Sequence, residues 1–236
     1  MVTLTIDRSL FATEPELRAC AFAAASLDRA SARLSARDLD ERWSTAARRL
    51  GEMGITSDTV TRLPGEIAAV ARRVLAEGGA VTPVPLMSLA LAAATTHLVS
   101  IGGYDVDALP VKTITLRRLR PGGDWFLPLE AVPADVDTDP DDLVFACETL
   151  VLELLSHALV SRQACLRAGS RRAVFVSHAR GEREAEEAAA AIEDLRGQLA
   201  ALGCEVGDAM FVDSTAPDVT LRIGRGRRHR EHTDDT

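Results

Sequence analysis

"SIGGYDVDALP" (Ser100–Pro110) decides how the rest of the chain is read. It follows an alanine-rich apolar run from Leu86 to Val99 and holds two adjacent glycines, the only tyrosine of the chain and two aspartates two residues apart. A run that is apolar nearly all round reads as a central, buried helix. Gly102-Gly103 then reads as its stop, with glycine supplying a left-handed cap at no Cβ penalty. On that reading Tyr104 either packs or arrives at the rim of a pocket behind the helix, and Asp105 fixes the turn by bonding its own backbone.

Upstream of this stretch the texture is helical. "VTLTID" alternates like a strand, but "TEPELRACAFAAASLDRASARL" reads as a helix with Thr13 as cap, Pro15 in its first turn and Glu16 three residues after the cap. "SARDLDERWSTAARRLGEMG" reads as a second helix, from Ser35 to the stop at Gly54, and "LPGEIAAVARRVLAEGG" as a third, ended by Gly78. Downstream the texture changes. "TITLRRLRPGGDWFLPL" reads as two strands about a Pro-Gly-Gly turn, and "RRAVFVSHA" as a fully buried strand. "DLVFACETLVLELLSHALV" is ambiguous between helix and strand. "GEREAEEAAAAIEDLRGQLAALG" is an acid-started helix closed by Gly203, and "CEVGDAMFVD" two short strands about a turn. The expected fold is α+β: one mixed β-sheet carrying Thr113–Arg117 and Arg172–Ser177, with packed helices and a helical N-terminal part. Residues 1–221 are expected to form one domain, helix-rich over 10–100 and sheet-rich over 110–215. The acidic stretch Val132–Asp142 reads as a solvated loop, and 222–236 as a disordered tail, basic and then acidic.

With 236 residues the chain is long enough to bury a core. No apolar stretch reaches the roughly 18 uncharged residues of a membrane helix, and the N-terminus lacks a basic segment followed by an apolar one, so a cytoplasmic protein with no membrane partner is expected. Cys20, Cys147, Cys165 and Cys204 form no CxxC pair, and the histidines neither cluster with them nor form HExxH. Neither a metal nor a cofactor is expected. A net charge of −8 argues against a general nucleic-acid binder and against DNA as a partner. The cations are arginines apart from Lys112. If phosphate is contacted, Arg117, Arg118, Arg120 and the tail from Arg222 are the candidates.

The order of several short motifs resembles the B3/B4 domain of the bacterial phenylalanyl-tRNA synthetase β subunit, and more so the free-standing B3/4 proteins. They are "ARRVLAEGG" (Ala71–Gly79), "GGYDVDAL" (Gly102–Leu109), "LRRLRPGGDWFLPL" (Leu116–Leu129) and "SRQACLRAGSRRAVFV" (Ser161–Val176), followed by the acidic helix. The likeness covers roughly 37–212. Where that family's apolar helix usually begins with an Asp and an Asn, this chain has Met87-Ser88 and Leu91, and its "WN-x-R" element is reduced to Leu159-Val160-Ser161-Arg162.

The resemblance implies hydrolysis of an aminoacyl ester, by water held near the carbonyl and donors placed for the oxyanion. It implies a pocket between the apolar helix and the core strands, with His157 positioning the water and Thr96, Tyr104, Asp105, Ser161 and Arg162 contacting substrate. The partner would be an aminoacyl-tRNA or a small amino-acid-derived or acyl substrate. Two other readings stay open: a scaffold repurposed for a small molecule in a specialised biosynthetic pathway, and a non-catalytic RNA- or protein-binding module.

Overall fold

The computed structural model describes residues 1–63, 65–79, 82, 84–129, 139–156 and 159–223. Two sheets and a helical layer stack in the order helices, second sheet, first sheet. The first sheet runs β11-β1-β4-β5-β6-β7 and the second β10-β2-β8-β3. The strands of the first are β1 (Val2–Ile6), β4 (Thr113–Arg118), β5 (Leu143–Cys147), β6 (Leu150–Leu154), β7 (Leu159–Val160) and β11 (Asp218–Leu221). Those of the second are β2 (Leu17–Ala25), β3 (Gly102–Asp105), β8 (Arg172–Arg180) and β10 (Met210–Val212), with β9 (Glu205–Val206) also paired to β2. β1 and β4 pair in parallel and the other ladders are antiparallel. The expected single mixed sheet is thus two: Thr113–Arg117 lies in one and Arg172–Ser177 in the other.

Strand periodicity divides the core. On β8, Ala173, Phe175 and Ala179 face the helices, while Val174 and Val176 face the first sheet. Each sheet residue changes side at every step, so one strand supplies two cores. β2 does the same, with Cys20, Phe22 and Ala24 toward the helices and Ala19, Ala21 and Ala23 toward the other sheet. Phe22 and Phe175, opposite each other in the ladder, stack with ring centres 5.3 Å apart. The expected helix over 13–34 is therefore a strand from Leu17 to Ala25, and only α1 (Leu27–Arg33) is helical. Alanine favours helix in isolation, but in β2 small side chains on both faces let two layers close on the strand.

The other helices follow their sequence signals. α2 (Ala36–Glu52) starts on Ser35, whose hydroxyl accepts from the Asp38 N–H while the Asp38 carboxylate accepts from the Ser35 N–H. α3 (Gly65–Glu77) ends at Gly78, and α5 (Glu182–Ala201) at Gly203. α4 (Pro85–His97) is central: Leu86, Leu89 and Ala93 are buried against the neighbouring helices and the second sheet. Among the described residues no helix is long and apolar enough to cross a membrane.

The opening stretch works differently from expectation. α4 is closed by Leu98, at φ 56°, four residues before the glycines. Gly102 and Gly103 are extended residues of β3, paired with Val176 and Phe175 of β8. Glycine is required there for space, not for a left-handed turn. A Cβ on Gly102 would lie 2.5 Å from the Tyr104 hydroxyl oxygen and 2.6 Å from Glu153 Oε2. On the opposite face, a Cβ on Gly103 would lie 3.1 Å from both Met87 Sδ and Leu166 Cδ1 and 3.3 Å from Phe175 Cε1. The expected pocket between α4 and the core strands is, at this point, packed side chain. Gly102→Ala is expected to destabilise the protein by about 2–3 kcal/mol, by displacing a buried hydrogen bond, and Gly103→Val by about 1–3 kcal/mol, by overpacking. Urea melts of both variants check this, and wild-type midpoints would contradict it.

Candidate functional site

Tyr104 is fully buried, and its hydroxyl donates to Glu153 Oε2. This is a correction: the residue expected at a pocket rim lies between the sheets, its ring 6.1 Å from that of Phe145. Glu153 is buried as well. A buried carboxyl needs such a donor, because an unmatched one is costly in an apolar interior.

The Glu153 neighbourhood leads outward to a surface. Glu153 pairs with Val160 of β7, so the two side chains share the face that looks toward the second sheet. Beyond β7 runs an extended segment, 125–129. Trp125 N–H donates to Thr149 O at 2.9 Å, Leu129 N–H to Val160 O at 2.9 Å and Arg162 N–H to Leu127 O at 2.7 Å. The last two bonds flank the bridge between Pro128 and Ser161. They set Leu129 opposite Val160 and Leu127 opposite Arg162, on the same face as Glu153. Trp125, Leu127 and Leu129 are 44%, 43% and 44% exposed, whereas the alternate residue Phe126 packs on the far face with Val144, Ala146, Val151 and Leu154. The first sheet thus overhangs as a ledge, an apolar stripe with Arg162 beside its middle. Among the described residues the Arg162 side chain has no carboxylate partner.

A buried ion pair holds the ledge's start. Arg117 grips Asp124 through two 2.7 Å bonds, both side chains 3% exposed, and donates further to Arg118 O and Glu148 O at 2.8 Å each. This clamps the turn at Gly122, φ 73°, beneath the β5–β6 turn and sets the chain direction into Trp125. The second strand expected after Pro-Gly-Gly is this bridged segment.

Other expected substrate contacts are occupied within the fold. Thr96 Oγ1 donates back to Ala92 O at 2.9 Å. Asp105 does fix its turn, accepting from Asp107 N–H at 2.9 Å, and its other oxygen accepts from Ser170 Oγ at 2.6 Å. Ser161 is buried, on the face opposite the ledge, where its hydroxyl accepts from Gln163 N–H at 3.4 Å. Asp107 pairs with Arg172, which holds its carboxyl below the usual carboxylate range. Of the arginines proposed for phosphate, Arg117 is consumed by Asp124, and Arg118 is shared between Glu14 and Asp141. His157, expected to position the water, falls in the link between β6 and β7 and lies outside the described residues, as do 132–138 of the acidic loop and 224–236 of the tail. Of the expected contacts described, the ledge thus keeps Arg162. Trp125, Leu127, Leu129 and Glu153 are not among the residues the sequence singles out. The W-x-L-x-L alternation before the acidic loop is the available signal for the first three.

All four cysteines are free and buried, and burial pushes the Cys20 thiol up to about 12 and that of Cys204 to about 11. Such thiols are poor nucleophiles. No protein-family model matches this chain, and no curated protein matches it.

His178 on β8 lies edge-on to Phe145, with ring centres 6.0 Å apart. Burial, with a smaller push from Arg180, lowers its imidazole from 6.5 to about 4. The unfolded chain therefore takes up this proton first on acidification. The residue's contribution to stability is complete above about pH 6.5 and is lost as pH falls toward about 4. His178→Gln is expected to flatten the fall in Tm across that window. Parallel wild-type and variant curves would contradict the assignment.

Proposed function

We propose that this chain binds an acyl or aminoacyl ester on the ledge and cleaves it by attack of water, the activity implied by its resemblance to B3/4 domains. The observation that supports the reading is the ledge itself: an apolar stripe for the acyl or amino-acid side chain, flanked by a guanidinium that is not matched to a carboxylate among the described residues. In the reaction water adds to the ester carbonyl, negative charge develops on the carbonyl oxygen, and the C–O bond to the alcohol breaks. Arg162 is suited to the developing oxyanion, because guanidinium donors beside the carbonyl stabilise charge that a ground-state carbonyl lacks. His157 would take the proton of the attacking water and return it to the departing alkoxide.

A second reading has an observation of its own. Thr96, Asp105 and Ser161 are engaged in turns and back-bonds, and Tyr104 in the sandwich. That commitment favours a scaffold reused to hold a small molecule, with little chemistry. Hydrolysis of the ethyl ester of an apolar amino acid separates the two. The ester-cleaving reading expects a rate above buffer, reduced about 10- to 100-fold in kcat/KM by Arg162→Ala and by His157→Ala. A rate no greater than buffer contradicts cleavage and leaves holding as the function.

A further inference from the structure

We infer that the ledge takes a small amphipathic anion, an apolar chain or ring ending in a carboxylate or phosphate, and not a second protein or the body of a nucleic acid. This rests on the ledge being the binding surface, but not on its cleaving anything.

The first argument is area. Three apolar side chains a little under half exposed offer on the order of 250 Å². A stable protein partner covers about 800 Å² on each side. The stripe therefore falls well short of a subunit interface and matches the apolar part of one small ligand. Nor is the outer edge a good template for an added strand. The backbone groups of Trp125, Leu127 and Leu129 that bond do so inward, to Thr149, Val151, Val160 and Arg162. Pro128 faces the other way and has no N–H to give.

The second argument is charge. Arg162 supplies a planar fork of donors beside Leu127, the geometry that suits two oxygens of one anionic group. A polyanion needs many such contacts in a row, whereas beside Arg162 there is Arg167, which donates to Arg162 O at 3.1 Å, and three further arginines are already paired. Arg117 holds Asp124, Arg118 holds Glu14 and Asp141, and Arg172 holds Asp107. A net charge of −8 also works against close approach of a long phosphate backbone.

The two tryptophans make the test direct, since Trp43 is buried at 1% exposure and Trp125 is on the ledge. Decanoate and decyl phosphate are titrated while tryptophan emission is followed, with inorganic phosphate and total tRNA in parallel at physiological salt. A saturable blue shift is expected with at least one decyl compound, absent in Trp125→Phe, with Kd raised at least about tenfold by Arg162→Gln. Decanoate alone would assign the carboxylate, decyl phosphate alone the phosphate. No shift with either compound, or a Kd untouched by Arg162→Gln, overturns the proposal. So does tRNA binding tighter than both. Binding as expected without ester hydrolysis removes the cleavage reading and leaves this one standing.

Discussion

Two sheets meet where Gly102 has no side chain. The space a Cβ would fill is taken by the Tyr104 hydroxyl and the carboxyl of Glu153, one from each sheet. The pair is a polar link across an interface that is mostly apolar and includes Val174, Val176, Leu150 and Leu152. It fixes how β3 sits over β6. Because β6 carries β7 through the Glu153–Val160 pairing, it also fixes the strand against which the ledge is laid. A direct hydrogen bond to a buried acidic group contributes about 1.5–3 kcal/mol, and leaving the carboxyl unmatched costs more than the bond itself. The geometry is therefore specified, not merely permitted.

The same economy governs much of the polar interior, although among the described residues Trp43 Nε1, Ser177 Oγ and Gln198 Oε1 are buried without a hydrogen bond. Arg117 and Asp124 are buried as a forked pair, and the pair's value is mainly positional, since desolvating two charges offsets much of their attraction. What it positions is the turn that delivers Trp125. Asp105, Ser170, Thr96 and Ser161 are likewise bonded inside the fold, so the groups most suggestive of chemistry are those that shape the chain. The surface that remains for a ligand is the overhang, where the first sheet extends past its cover and one arginine stands beside three apolar side chains.

Much of the architecture is legible in the sequence. The apolar run Ala173–Val176, the Ser35 cap, and the acidic start and glycine end of α5 are local signals, and each sits where it is expected. The failures have physical causes. Leu17–Ala25 carries alanine where two faces are buried at once, which looks helical by composition. Gly102-Gly103 reads as a turn because glycine's torsional freedom is visible in sequence, whereas its lack of volume matters only once Tyr104 and Glu153, 49 residues apart, are placed together. The ledge has a period-two pattern from Trp125 to Leu129, but no sequence pattern says where one sheet ends above another. Arg162 is expected from resemblance, and its lack of a carboxylate partner among the described residues emerges only with the contacts.

The link between the sheets is tested most directly by a double-mutant cycle on Tyr104 and Glu153, using Tyr104→Phe, Glu153→Met and the pair, each unfolded in urea. If the hydroxyl and the carboxyl hold each other across the interface, the two losses fall short of adding, with a coupling of about 1–3 kcal/mol. If the losses add within about 0.5 kcal/mol, the two groups act independently, and the polar link between the sheets does not set how they meet.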